Sequence, residues 1–168
     1  MDFDQNEFNS KVINMVVQFF TCIMKNNLDD VKHFIKEQPL EYGNSIINEM
    51  SKLNRRKMYD ELNIRNLKIL NTTQDDNNYI YDVSIEARYL DYVMDIDSGD
   101  IVSGNNNERV MKVYNLKIIK NKKAKEQGVI RRCPGCGNSL DVNMSGKCPY
   151  CGSIYNQEDY DYQILEIR

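Results

Sequence analysis

The 168-residue chain has no tryptophan, a single histidine and only three prolines. Because His33 is the only imidazole, a Ser-His-Asp, Cys-His or histidine-metal site would have to be built on that one residue. His33 falls out of phase with its apolar neighbours, so we interpret it as a helix-surface residue. The sequence also has no Walker loop, no Gly-x-Gly-x-x-Gly motif and no nucleophile elbow. These absences favour a binding protein over an enzyme.

Long apolar runs are missing as well. The most apolar stretch, residues 13–24, is interrupted by Asn14, Gln18 and Thr21, whereas a membrane span needs about 20 apolar residues. A secretory signal has a basic region, then an apolar stretch, then a cleavage site of small residues, and the N-terminal residues do not follow this order. With a net charge of -3 and 28% charged residues, the composition is that of an ordinary globular protein. We therefore expect a cytoplasmic location.

Helical periodicity dominates the first third of the chain. Apolar residues at helical spacing predict an amphipathic helix over residues 4–25. A second helix is expected after Asn27, which can cap it, and should end near Pro39. A third is expected over residues 40–61, with Ile46, Ile47 and Met50 on its buried face.

Alternating patterns come after the helices and predict strands. We expect strands at 64–72, from Tyr79 onward, at 109–120 and in the final DYDYQILEIR, with a hairpin turn at 75–78 and a turn-rich link over 95–108. The alternation slips near Leu90, which predicts a β-bulge that bends the sheet. Helices followed by an antiparallel meander indicate an α+β fold.

Apolar and aromatic residues share one face of the predicted sheet. Core packing explains this face most simply, and the alternative is the lining of a hydrophobic pocket. The residues in question are Tyr79, Tyr81, Val83, Ile85, Tyr89 and Tyr114.

Four of the five cysteines lie in the segment CPGCGNSLDVNMSGKCPYCG. Cys133, Cys136, Cys148 and Cys151 form two C-x2-C pairs separated by eleven residues, a spacing typical of a zinc ribbon. A complete shell of four thiolates leaves no open position, so we expect structural rather than catalytic zinc. Iron and a pair of disulfides are the alternatives. Cys22, among apolar neighbours on the first helix, is interpreted as a core residue.

The cysteine segment lies between two predicted strands, which indicates an insertion. We assign residues 128–156 to the ribbon, and 1–127 with 157–168 to the helix-and-sheet domain. Basic residues cluster around the entry to the ribbon and could contact an anionic partner: Lys117, Lys120, Lys122, Lys123, Lys125, Arg131 and Arg132. Nucleic acid is the less favoured partner, because Glu158, Asp159 and Asp161 lie just after the ribbon.

Several phrases resemble a known family. DSGDIVSG, VYNLKI and YQILEI are similar to the acidic-glycine turn and the last two strands of the Tim44-like domain, found in a peripheral subunit of the mitochondrial import motor and in bacteria. Where that family tends to place tryptophan, this chain has Tyr114 and Tyr162; Leu116, Ile164 and Ile167 would take the accompanying apolar places. MYDELN, CPGCG, DVNMSGKCPYCGSIYN and EDYDY resemble short bacterial members that carry a zinc ribbon.

The resemblance implies a fold and a class of function. The fold would be similar to nuclear transport factor two, with helices in the hollow of a strongly bent antiparallel sheet that often leaves an apolar pocket. The function would be a non-enzymatic binding or scaffold module for a protein partner or a hydrophobic ligand, peripheral to a membrane or a protein-translocation complex. Two alternatives stay open: a small-molecule pocket, enzymatic or not, and association with RNA or the ribosome through the basic linker.

Overall fold

The computed structural model describes residues 3–122, 130–133, 135–141, 148–152 and 162–168. Two α-helices, a 3-10 helix and six strands succeed one another along the chain. They are α1 (Gln5–Met24), the 3-10 helix (Asp29–Phe34), α2 (Glu37–Lys52), β1 (Arg55–Gln74), β2 (Asn78–Asp95), β3 (Ile101–Asn121), β4 (Ile130–Arg132), β5 (Ser139–Asp141) and β6 (Tyr162–Ile167).

Helix α1 confirms the first predicted helix almost residue for residue. The Asp4 carboxylate caps it by accepting hydrogen bonds from the backbone N–H groups of Asn6 and Glu7, at 3.0 and 3.1 Å. Its apolar stripe, including Phe8, Phe19 and Phe20, is fully buried. The helix therefore lies with one whole side against the sheet.

The second predicted helix is only partly right. Asn27 does accept a hydrogen bond from the Asp29 N–H at 2.9 Å, but the element that begins at Asp29 is a six-residue 3-10 helix. The chain then starts α2 at Glu37, so Pro39 lies inside the first turn of the next helix. Proline is tolerated there because the first N–H groups of a helix have no intrahelical partner.

The predicted end of the third helix is wrong. Helix α2 ends at Lys52, Asn54 has a φ of 54°, and β1 begins at Arg55. Asparagine tolerates the left-handed conformation that commonly ends helices. Its side-chain amide also donates a 2.8 Å hydrogen bond to Asp97 in the β2–β3 connection, which fixes the reversal. Residues 55–61 consequently belong to the sheet.

The main sheet is antiparallel, curved and ordered β1-β2-β3-β6. The predicted turn at 75–78 is confirmed: the Asp75 carboxylate accepts from the N–H groups of Asn77 and Asn78 at 2.8 and 2.7 Å. Those bonds also lower the pKa of Asp75 below its usual value. The short strands β4 and β5 form a separate two-stranded sheet in the cysteine segment.

The predicted bulge near Leu90 is confirmed and is larger than expected. Leu90 pairs with Arg109 and Tyr92 pairs with Gly104, so four residues of β3, 105–108, lie opposite Asp91 alone and three of them are extra. β3 starts at Ile101 rather than near residue 109, so residues 101–108 of the predicted link belong to the strand. Gly104 has a φ of 75°, and a Cβ atom there would lie 2.2 Å from the Asp91 carbonyl oxygen.

A single apolar core joins the helices to one face of the main sheet, which we call the inner face. Alternate residues of β2, from Tyr81 to Tyr89, and of β3, from Tyr114 to Ile118, lie in this core with Ile164 and Ile167 of β6. The α+β fold class, with N-terminal helices on a curved antiparallel sheet, is thus confirmed. Among the described helices, none combines the length and the apolar character needed to cross a membrane.

Candidate metal centre

The four ribbon cysteines converge on one point. The sulfur atoms of Cys133, Cys136, Cys148 and Cys151 all lie within 4.8 Å of one another. The sulfurs of Cys133 and Cys151, and those of Cys136 and Cys148, are 3.6 Å apart. A tetrahedral ion with metal–sulfur bonds of about 2.3 Å separates its sulfurs by about 3.8 Å. The sulfur positions therefore fit a four-thiolate metal shell.

Two short turns bring the sulfurs together. In the first, the Gly137 N–H donates to the Cys133 carbonyl at 2.9 Å, and in the second the Gly152 N–H donates to the Cys148 carbonyl at the same distance. Both glycines have left-handed φ angles, 78° and 76°. This conformation suits glycine, which has no Cβ, so the repeated C-P-x-C-G phrase encodes the same turn twice.

Hydrogen bonds to sulfur complete the centre. The backbone N–H groups of Gly135 and Tyr150 donate to Cys133 and Cys148, at 3.3 and 3.4 Å. The side-chain amide of Asn138 donates to Cys136 at 3.3 Å. Donors of this kind stabilise thiolates and orient metal ligands. Sequence reasoning missed Asn138, because nothing in the sequence fixes the direction of its side chain.

No disulfide joins any two of these four sulfurs. A disulfide needs a sulfur–sulfur distance of about 2.05 Å, well below the 3.6 Å found here. Burial raises the pKa of the Cys133 thiol to about 12. Cys22 lies apart from this centre, buried on α1 as expected, and burial raises the pKa of its thiol as well. The ribbon cysteines thus match the donor set of a metal site, which is the chemistry that their spacing predicts.

The residues considered as a pocket lining are in the core. Tyr81, Val83, Ile85, Tyr89 and Tyr114 are buried beneath α1 and belong to the main apolar cluster. Tyr79 lies at the end of the row, is 40% exposed and holds its ring 5.2 Å from the Lys122 ammonium. The hollow of the sheet is therefore filled at these positions by side chains of the helices.

A cavity of about 400 Å³ opens elsewhere, on residues of all four main strands. Leu70 is the exposed apolar side chain of its lining, and an ion pair between Lys117 and Asp82, 3.0 Å apart, lies beside it. Glu166 and Arg168 at the end of the chain complete the lining. Sequence reasoning missed this cavity, because Leu70 reaches it only through an irregularity of the strand register between Ile69 and Asn71.

The described part of the basic cluster is engaged within the protein. Lys117 pairs with Asp82, while the Lys120 and Lys122 ammonium groups lie 5.0 and 5.2 Å from the ring centres of Tyr162 and Tyr79. Lys123 and Lys125 and the side chains of Arg131 and Arg132 lie outside the described residues. Contact of this cluster with an anionic partner stays a prediction.

The fold and the site together define a class of protein: a small α+β domain, with helices on a curved antiparallel sheet, that carries a cluster of four cysteines whose sulfurs lie within 4.8 Å of one another. More specifically, the chain belongs to the family of the Tim44-like domain, whose family model matches residues 1–126.

Two further comparisons complete this picture. The crystal structure of the intermembrane space region of chloroplast protein ARC6 is similar to this chain at 8% sequence identity and a TM-score of 0.40, over 100% of this chain and 97% of that one. No match was found among curated proteins.

Proposed function

We propose that the protein is a non-enzymatic binding or scaffold module whose four-cysteine ribbon holds one structural zinc ion. The convergence of four sulfurs within 4.8 Å carries the metal part of this proposal. A closed four-thiolate shell leaves no position for water or substrate, so the ion would supply folding stability and no catalysis. The ribbon occupies residues 128–156, inserted between β3 and β6 of the Tim44-like domain.

Metal analysis tests the zinc proposal. We expect one zinc per chain in protein purified without chelators, and loss of that zinc in a Cys136→Ser variant. Cys22→Ser is the matched control, because Cys22 lies on α1 outside the sulfur cluster. A metal content near zero in the wild type would overturn the proposal. An iron content near one per chain, with the visible absorption of ferric thiolate, would replace zinc by iron.

The filled hollow supports a binding role on the outside of the domain. Because α1 covers the aromatic inner face, a partner would bind to the outer surface rather than inside the sheet. In the described part of the chain, the four ribbon cysteines are the only group of three or more possible metal ligands whose side chains lie close together. A protein partner therefore fits this surface better than a substrate does.

We place the module at the periphery of a membrane or of a protein-translocation complex, which the family membership supports. Affinity capture with a photo-crosslinker at exposed Leu53, compared with the same probe at buried Val16, tests for a protein partner. Flotation with anionic and neutral liposomes tests the membrane part. Co-flotation only with anionic lipid at low salt would support a peripheral membrane contact. Absence of both a specific crosslink and flotation would contradict the proposed placement.

A further inference from the structure

The edge of β3 is partly open. β6 pairs with β3 only from Leu116 to Lys120, and Arg168 exchanges two backbone hydrogen bonds with Asn115, at 2.8 and 2.9 Å. Beyond Asn115, no described strand continues this pairing along residues 109–113. We call residues 109–113 the open edge.

Backbone groups of the open edge are placed to accept another strand. In an antiparallel ladder, residues whose N–H and C=O groups point to the same side recur every second position. Asn115 directs both its N–H and its C=O group toward Arg168. The backbone groups of its alternate neighbours, Val113, Met111 and Arg109, therefore point to the same side. Exposed edges with unpaired backbone groups are sites of strand addition.

Three of the five side chains of the open edge are apolar, and all five are exposed. Val110 is 39% exposed, Met111 55% and Val113 47%, whereas Tyr114 and Leu116 of the same strand are buried. Natural sheets commonly protect an edge with charge, proline or a covering element. Here Arg109 and Lys112 are charged, but Arg109 pairs with Glu61 and the Lys112 ammonium lies over the Tyr114 ring at 4.8 Å. Val110 on one face of the strand, and Met111 and Val113 on the other, are suited to burial against another strand.

We infer that a second copy of this chain occupies the open edge, with two β3 strands paired antiparallel about a two-fold axis at Val110. In this register Val110 faces Val110 of the other copy, and Lys112 faces Glu108 on both sides of the axis. Met111 and Arg109 of the two copies exchange the backbone hydrogen bonds. The two Lys–Glu pairs provide the charge complementarity that selects a second copy and this register.

The bulge next to the open edge makes this pairing sterically consistent. The incoming strand runs in line with β6 and meets it near Arg168. The Asn105 side chain accepts hydrogen bonds from the N–H groups of Asn107 and Glu108, at 3.1 and 3.0 Å, so the chain turns just before Glu108. The β3 strand of the second copy would therefore turn away from the pairing with this β3 before it reaches β6. This self-association is independent of the proposed metal and partner functions.

Sedimentation equilibrium over a wide concentration range tests the inference. We expect the mass to rise from that of one chain, 19.7 kDa, to that of two. Lys112→Glu and Glu108→Lys should each weaken the dimer roughly tenfold or more, and the double variant should restore it. Lys68→Glu, an exposed lysine on β1 at the opposite edge of the sheet, is the control and should have no effect.

A cysteine crosslink tests the register. Val110→Cys should form an intermolecular disulfide, because directly opposed residues of a non-hydrogen-bonded pair have Cα atoms about 4.5 Å apart. If the Met111→Cys variant forms the intermolecular disulfide and the Val110→Cys variant does not, the register centred on Val110 is wrong. A mass of one chain at all concentrations up to the millimolar range, with native circular dichroism, would overturn the dimer itself.

Discussion

The metal centre depends on one side chain that is not a ligand. Asn138 donates its side-chain amide N–H to Cys136, while its backbone carbonyl oxygen accepts from the Cys133 N–H at 2.8 Å. A neutral donor offsets part of the charge of -2 that a zinc ion with four thiolates carries. Asn138 therefore links the first turn to the electrostatics of the centre.

Asn138→Ala should weaken zinc affinity about 10- to 100-fold, the usual effect of removing an outer-shell hydrogen bond. Competition with a chromogenic chelator measures the change, and cobalt substitution should show a shifted thiolate charge-transfer band. Tyr150→Ala is the matched control, because Tyr150 donates to Cys148 through its backbone N–H. Equal affinities for the Asn138 variant and the wild type would show that the amide makes no contribution.

Gly104 is the residue that the bulge requires. Gly104→Ala places a methyl group 2.2 Å from the Asp91 carbonyl oxygen, in a left-handed conformation. We expect the free energy of unfolding to fall by about 1–3 kcal/mol for the conformation and by about 1–3 kcal/mol more for the overlap. Urea denaturation measures the loss. Gly99→Ala is the control, since Gly99 has the same sign of φ and nothing within 4 Å of its missing Cβ.

The cysteine ligands were predictable from spacing, and Asn138 was not. Two C-x2-C turns of fixed length leave their sulfurs few ways to point, so the convergence of the four sulfurs can be read from the sequence. The Asn138 contact depends on a side-chain orientation that is set by the first turn and by the facing pair of cysteines. Such contacts exist only after the two turns have met in space.

At the scale of whole elements, α1 is the element that fills the hollow of the sheet. The Phe20 ring centre lies 4.7 Å from that of Tyr59 and 5.2 Å from that of Tyr114, and Phe20 is fully buried. The pocket considered for this face would require these rings to separate.

Phe20→Ala should lower the free energy of unfolding by about 3–5 kcal/mol, because the contacts of a large ring are lost and a cavity is left. Thermal or urea denaturation measures the loss. Phe3→Ala, which removes a half-exposed ring stacked on Tyr81, is the control and should cost far less. A loss below about 1 kcal/mol for Phe20→Ala would contradict a tightly filled hollow.

The elements that periodicity predicted well are those with one long buried face. α1 and the central part of β2 show uninterrupted patterns and were correctly located. The change from α2 to β1 was not, because Leu53 and Met58 continue the helical spacing of Met50 while Asn54 already has a left-handed φ. The start of β3, residues 101–108, was missed because all its side chains are exposed, which leaves no alternation of buried and exposed positions.

At the scale of the whole molecule, the ribbon and the main sheet are joined through the chain between β3 and β6. The ribbon has its own two-stranded sheet, whereas Tyr162, Ile164 and Ile167 of β6 are buried in the main core. Stability of the sheet should therefore depend little on the metal.

Removal of the metal should release the ribbon and leave the domain folded. After chelation, or in the Cys136→Ser variant, we expect rapid hydrogen exchange at β4 and β5, with slow exchange retained at Ile164 and Ile167. Hydrogen exchange followed by mass spectrometry measures both regions, and protein restored with excess zinc is the control. Simultaneous loss of protection in β6 would show that the ribbon and the sheet unfold as one unit.

The position of β6 also orders events during synthesis. The ribosome makes the ribbon before β6, so Ile164 and Ile167 reach the core only after the cysteines have left the exit tunnel. Closing the 40 residues between β3 and β6 costs conformational entropy. An ion that joins Cys133 to Cys151 shortens that loop and lowers the closing free energy by roughly 0.5 kcal/mol. The supply of metal during synthesis would thus influence how promptly nascent chains close their core, even where the finished domain no longer depends on it.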